Sequence, residues 1–127
     1  MKRFNKAIGI EGENIATTYL NKTGYKIIER NYSSRFGEID IVASINNCLV
    51  FVEVKTKTGT DFGVPEEMIS KRKIKQIQKM ADLFILKNAT TTSSYNACRI
   101  DVIAIVLTET GEAESIHHYE EVGSEFL

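Results

Sequence analysis

Two carboxylates and a lysine stand where a hairpin would bring them together. Glu38 to Ser44 (EIDIVAS) and Cys48 to Thr56 (CLVFVEVKT) are β-prone runs on either side of Asn46-Asn47. Asparagine accepts the positive φ of a tight turn better than most residues. If this pair forms the turn, residues whose numbers sum to 93 face each other, with Asp40 opposite Glu53 and Glu38 opposite Lys55. Facing Cβ atoms lie about 4.5–5.5 Å apart, and a β-bulge would shift the register by one. Two ionised carboxylates at roughly 4 Å repel by about 4 kcal/mol at an effective dielectric near 20. Ile39, Ile41, Val42, Val52 and Val54 make the surroundings apolar. A shared proton or a bound cation relieves the repulsion. Mg²⁺ suits the second arrangement, because it takes one or two carboxylates together with waters and phosphate oxygens.

Strand alternation puts Leu49, Phe51, Glu53 and Lys55 on one face, and Val50, Val52 and Val54 on the other. Lys55 therefore projects beside Glu53, where a lysine can position an attacking water, deprotonate it as the neutral amine, or, as the ammonium, stabilise charge on a phosphate. The valine face should pack on a helix. Upstream, Glu13, Ala16 and Leu20 recur at helical spacing, so Glu13 shares a face with core residues and can be a further ligand, direct or through water. The competing reading is structural: Lys55 pairing with Glu38 on an exposed face, and Asp40 accepting a hydrogen bond from a loop. A lone E-x-K on a strand is common by chance; its coincidence with Asp40 and Glu13 is what carries the signal.

The elements that must position these groups follow from periodicity. Residues 8–23 read as a helix stopped at Gly24. Tyr25–Tyr32, Glu38–Ser44 and Cys48–Thr56 read as strands, and Thr58–Val64 as a loop ended by Pro65. A long helix runs from an N-cap at Ser70 to Lys87, with Ile74, Ile77, Ala81, Phe84 and Ile85 on one face. Residues 89–96 lack periodicity and read as a mobile loop. Cys98–Leu107 is a buried strand, Ser115–Tyr119 a short edge strand, and the tail from Glu120 should fray. The order helix-strand-strand-strand-helix-strand predicts an α/β domain, a central mixed β-sheet flanked by helices. No repeat or linker divides residues 1–127, so one domain is expected.

Composition bounds the partners. With 16 Lys and Arg against 17 Asp and Glu, the net charge is −1, and 43% of residues are hydrophobic. Nucleic acid would have to be held by a local basic patch. Lys71, Arg72, Lys73, Lys75 and Lys79 cluster at the start of the long helix; Arg30, Arg35 and Lys57 lie near the hairpin mouth. The alternative for the helix cluster is a solvated face. Nothing in these residues reads bases, so contact would be to phosphates. No apolar run suggests a membrane span or secretory signal. Cys48 and Cys98 have no neighbours at metal-ligand spacing and read as small buried hydrophobes, which fits a cytoplasmic protein. His117-His118 point to opposite faces of a strand, so joint ligation of one metal is not expected. Asp101 reads as a structural hydrogen-bond acceptor; Tyr95 and Tyr119 read as packing residues at a loop or an edge, with stacking on bases as the alternative.

The run Gly37-Glu-Ile-Asp-Ile-Val-Ala43 followed by Leu49-Val-Phe-Val-Glu-Val-Lys55 resembles the PD-(D/E)xK nuclease signature. Within it, the sequence is most similar to the YraN family of uncharacterised bacterial proteins. The matching pieces are Gly12-Glu13, Ala16, Tyr19-Leu20, Gly24-Tyr25, Arg30-Asn31-Tyr32, Phe62-Gly63 and Arg99-Ile-Asp101-Val-Ile103, spanning about residues 9–107. A more distant similarity is to archaeal Holliday-junction resolvases. Gly37-Glu-Ile-Asp40 stands where the name motif has Pro-Asp. The resemblance implies a restriction-endonuclease-like core, Mg²⁺ or Mn²⁺ at Glu13, Asp40 and Glu53, a catalytic Lys55, and hydrolysis of phosphodiester bonds in DNA, branched or damaged forms included. A homodimer is compatible, since a duplex has two strands to cut. The alternative is a non-catalytic nucleic-acid-binding module that retains the fold. A protein-binding adaptor, using the last strand as an edge, is a poorer third.

Overall fold

The computed structural model describes residues 2–59 and 69–123, with side chains from Ala7 onward. Its elements are α1 (Lys2–Lys22), β1 (Lys26–Ser34), β2 (Gly37–Ile45), β3 (Cys48–Thr58), α2 (Lys71–Lys87), α3 (Ala89–Thr92), β4 (Ala97–Leu107) and β5 (Ala113–Tyr119). The strands form one sheet in the order β1-β2-β3-β4-β5. Only β3 and β4 pair in parallel; the other neighbours are antiparallel. That parallel pair is the one whose connection carries α2, as a crossover requires. The expected α/β architecture, a mixed sheet flanked by helices, is present.

Each face of the sheet carries its own apolar layer. On one, Ala16 and Leu20 of α1 pack with Ile41, Ala43, Val50, Val52 and Ile103. The valine face of β3 thus does pack on a helix. On the other face, Ile74, Ile77, Met80 and Phe84 of α2 pack with Val42, Leu49 and Phe51. α1 closes as a Schellman motif: Tyr25 N–H donates to Leu20 O (3.0 Å), Gly24 N–H donates to Asn21 O (3.4 Å), and Gly24 sits at φ 97°. Tyr25 and Leu20, both buried in the same layer, supply the apolar contact that accompanies it. Ser70 caps α2 as expected, its Oγ accepting from Lys73 N–H at 3.1 Å.

Four expectations need correction. α1 starts at Lys2 rather than residue 8. Residues 89–96 are not a featureless loop, because Ala89–Thr92 is helical. Thr91 and Thr92 hydroxyls donate to Asn88 O, and Asn96 N–H donates to Asn47 O, which ties the segment to the hairpin turn. Of the tail expected to fray from Glu120, the first residues are instead anchored, Glu121 N–H donating to Asp101 and Val122 N–H to Ile100 O, while residues 124–127 lie outside the described residues. Finally, the two cysteines are free and not fully buried; Cys98 is exposed and Cys48 half-buried. Parallel register pairs Cys48 with Ala97 and Leu49 with Cys98, so alternation sends the thiols to opposite faces. The expected 58–64 loop falls almost wholly outside the described residues, as do Phe62-Gly63 and Pro65; Thr58 ends β3. Among the described residues no helix is long and apolar enough to cross a membrane.

Candidate active site

The hairpin forms in the expected register. Asn46 and Asn47 take φ of 48° and 63°, and pairs run from Ile45 with Cys48 to Ile41 with Val52. The ladder stops one residue short of Asp40 and Glu53. There the Asp40 side chain replaces a backbone acceptor: Val54 N–H donates to its Oδ2 at 2.8 Å. The alternation of β2 also resets at this point. Ile41 packs on the α1 side, while Ile39, two residues away, packs on the α2 side. Across on β1, Asn31 lies between the pairs Arg30–Ile41 and Tyr32–Ile39, with a left-handed φ of 54°. Asparagine is among the few residues that tolerate that region. Its amide, turned so that the nitrogen faces the acids, donates to Glu13 Oε1 (2.9 Å) and Glu38 Oε1 (3.1 Å).

Four acids consequently converge. Carboxylate oxygens of Glu13, Glu38 and Asp40 all lie within 4.8 Å of one another. Glu53, 5% exposed, stands against Asp40. Burial, then the Glu53 charge, push the Asp40 carboxyl up to about 8, against the pull of the Val54 N–H. Burial and Glu38 likewise raise Glu13, partly offset by Arg30, whose guanidinium is 4.0 Å away. Without a cation, then, Asp40 holds a proton that it shares with Glu53 through a hydrogen bond. Lys55 and Lys73 flank the pair, their Nζ atoms 3.4 and 3.5 Å from Glu53 Oε2. Lys55 does not rely on Glu38 as its partner.

These groups line an open cavity of about 510 Å³ that also takes in Thr56, Lys57 and Thr58. Its acidic donors are hard carboxylate oxygens, with no thiol or imidazole among the described residues that line it. That donor set, and the repulsion it holds in a buried place, fit Mg²⁺ or Mn²⁺.

Of the anticipated basic residues, Lys57 and Lys73 reach the cavity. Arg30 lies at its edge, donating to Asn14 Oδ1 and pairing with Glu13. Arg35 instead covers the Phe36 ring at 4.8 Å, as Lys79 does at 3.8 Å. Lys71, Arg72 and Lys75 are exposed on α2 and are not part of the cavity wall. Two members do not emerge from the sequence as site residues. There Glu38 is a partner for Lys55, and Asn31 is part of the Arg30-Asn31-Tyr32 piece. The GEID run carried Glu38 in plain view; what hid it was the break in alternation at Asp40.

Gly12 sets the depth of α1 over the site. A Cβ there would collide with the Thr56 side chain on β3, and a threonine is stiff at χ1. Gly12→Ala should cost about 1–3 kcal/mol by overpacking. It should also weaken cation binding, because Glu13 moves with the helix; urea denaturation and calorimetric Mn²⁺ titration read the two effects separately.

The family model described as "Uncharacterised protein family UPF0102" matches residues 12–105. Relatives carry the same description. A UPF0102 protein of Dictyoglomus thermophilum is 40% identical over 108 residues, 85% of this chain and 89% of its own. One of Clostridium botulinum strain 657 is 45% identical over 112 residues, 88% and 89% of the two chains. One of Persephonella marina is 46% identical over 98 residues, 77% and 82%.

Proposed function

The chain belongs to the uncharacterised protein family UPF0102, the YraN family that its sequence resembles, and we propose that it is a divalent-cation-dependent endonuclease of the PD-(D/E)xK, restriction-endonuclease-like kind, cutting phosphodiester bonds in DNA. The observation that carries this reading is the buried Asp40–Glu53 pair beside Lys55 at the wall of an open cavity. Acids held so close in an apolar hairpin are costly for the fold. A bound Mg²⁺ or Mn²⁺ would polarise a phosphoryl oxygen and lower the pKa of a bound water.

The chain's own residues divide the remaining work. Glu13, Asp40 and Glu53 would hold the cation, and Glu38, whose carboxylate oxygen lies within 4.8 Å of those of Glu13 and Asp40, is near enough to join them as a ligand or to orient a water. The Val54 N–H fixes the Asp40 carboxyl in place. Lys55, on the same strand face as Glu53, presents its ammonium to the attacking water or to a phosphate oxygen. Lys57 and Lys73 extend positive charge along the cavity, suited to backbone phosphates rather than base edges. Branched or damaged DNA is the substrate class the likeness to junction resolvases suggests, and two copies would serve the two strands of a duplex. The free thiols fit a reducing cytoplasm.

The test is cleavage of linear, nicked and branched DNA with Mn²⁺ or Mg²⁺. Glu53→Gln and Lys55→Met should each lower cleavage at least about 100-fold, the scale of losing one electrostatic group, while melting as cooperatively as the wild type. Full activity in both variants would overturn the assignment. One observation favours a second reading: two lysines already neutralise Glu53 with no cation. A non-catalytic DNA-binding module would then keep salt-sensitive binding in Asp40→Ala and cleave nothing on any substrate.

A further inference from the structure

Among the described residues, Lys73 is the one that α2 contributes to the cavity. It belongs to the first turn of α2, held by the Ser70 cap, while Lys55 is fixed in β3 next to Glu53. Both ammonium groups meet the same oxygen, Glu53 Oε2. Two positive charges thus already stand 3.4 and 3.5 Å from this oxygen. A divalent cation bound at this carboxylate is repelled by both unless one withdraws. Lys73 is the freer of the two: it is 31% exposed against 25% for Lys55, and it extends from α2 rather than from the strand that carries Glu53. A divalent cation repels the ammonium it displaces, whereas a phosphodiester anion arriving beside that cation attracts it.

We propose that Lys73 couples substrate to cation: it occupies Glu53 when DNA is absent, opposing the metal, and moves to a phosphate oxygen of DNA when substrate binds, releasing Glu53. The inference rests on the metal-dependent reading above and adds an order to it, with each ligand tightening the other by the same factor. Empty of DNA, the site then resists loading with metal, and free cation does not arm it.

Calorimetric titration of Mn²⁺ tests this on the full chain, alone and with a slowly hydrolysed phosphorothioate branched DNA. The variants are Lys73→Gln, Lys73→Arg and, as a charge control far along α2, Lys87→Gln. DNA should tighten Mn²⁺ binding to the wild type by about 10-fold, within the usual range of such couplings. Lys73→Gln should bind Mn²⁺ about 3-fold or more tighter than the wild type without DNA, and lose most of the coupling. Lys73→Arg should keep the wild-type coupling, and Lys87→Gln should match the wild type in both titrations. Unchanged or weaker Mn²⁺ binding by Lys73→Gln without DNA, or an equal gain in Lys87→Gln, overturns the coupling and leaves the nuclease reading intact. Absence of Mn²⁺ binding by every variant, with and without DNA, takes down both.

Discussion

Asp40→Asn is expected to lose divalent-cation binding and yet, with chelator present, to be more stable than the wild type at pH 8. The reason is that a site for a cation is a burden when no cation fills it. Burial and the neighbouring Glu53 charge raise the Asp40 carboxyl to about 8, against about 3.9 in an unfolded chain. Between those values the folded protein holds a proton that the unfolded chain has released. Stability therefore falls as pH rises from about 4 to about 8, by at most about 1.4 kcal/mol per pH unit for this one group. An asparagine keeps the shape, can still accept from Val54 N–H, and can donate to Glu53 without ionising. Urea denaturation in chelator at pH 5, 6, 7 and 8 should give the variant an advantage of at most about 1.5 kcal/mol at pH 5 and a growing one above it. Parallel profiles would mean that Asp40 does not carry the strain. Added Mn²⁺ should reverse the order, stabilising the wild type by mass action and leaving Asp40→Asn unmoved.

Much of this arrangement could be read from the residues, and the limits are specific. The hairpin register followed from Asn46-Asn47, because two positive-φ residues leave the strands only one way to pair. The pairing of Asp40 with Glu53, and Lys55 beside them, followed from that register and from alternation. Ser70 and Gly24 marked helix ends by their own chemistry. What alternation could not supply was its own interruption: the left-handed Asn31 and the Asp40–Val54 bond turn β2 at the site and bring Glu38 to Glu13. Nor could the charge cluster on α2 be sorted. Lys73 enters the cavity while Lys71, Arg72 and Lys75 stay on the helix exterior, because the phase of α2 over the sheet is set by Ile74, Ile77 and Phe84 seating against Val42 and Phe51. That phase is tertiary. The anchoring of Glu121 is invisible in the sequence for a similar reason, since its partner, Asp101, lies about 20 residues upstream.

That anchor carries the largest stability prediction. Asp101 is 0% exposed and every side of its carboxylate is used. Arg99 donates from Nε (2.9 Å) and Nη2 (3.1 Å), Glu121 donates its backbone N–H (3.0 Å), and His118 Nε2 lies at 2.7 Å. The other His118 nitrogen meets Tyr19 Oη at 2.9 Å, and Arg99 also donates to Tyr25 Oη, so one acid joins β4, β5, α1 and the chain leading into β1. His117, on the opposite face, stacks on Tyr119. Burial alone would raise the Asp101 carboxyl, but the hydrogen bonds from His118, Arg99 and Glu121 outweigh it and hold it below the usual range. Asp101→Ala would strand a half-buried guanidinium and an imidazole, and should cost about 3–5 kcal/mol, a large part of the 5–15 kcal/mol available to a small domain. Its pH signature is opposite to that of Asp40. A lowered carboxyl gives stability above about pH 4 that is lost as pH falls further, so the acid limb of the wild-type profile should flatten in Asp101→Ala while its alkaline decline persists. Register places Asp101 beside Val52, one residue from Glu53 but on the α1 face of the sheet. The strut thus supports the helix that carries Glu13. Chelator-free melts should therefore show Asp101→Ala gaining less from Mn²⁺ than the wild type does, and an equal gain would mean that α1 seats Glu13 without it.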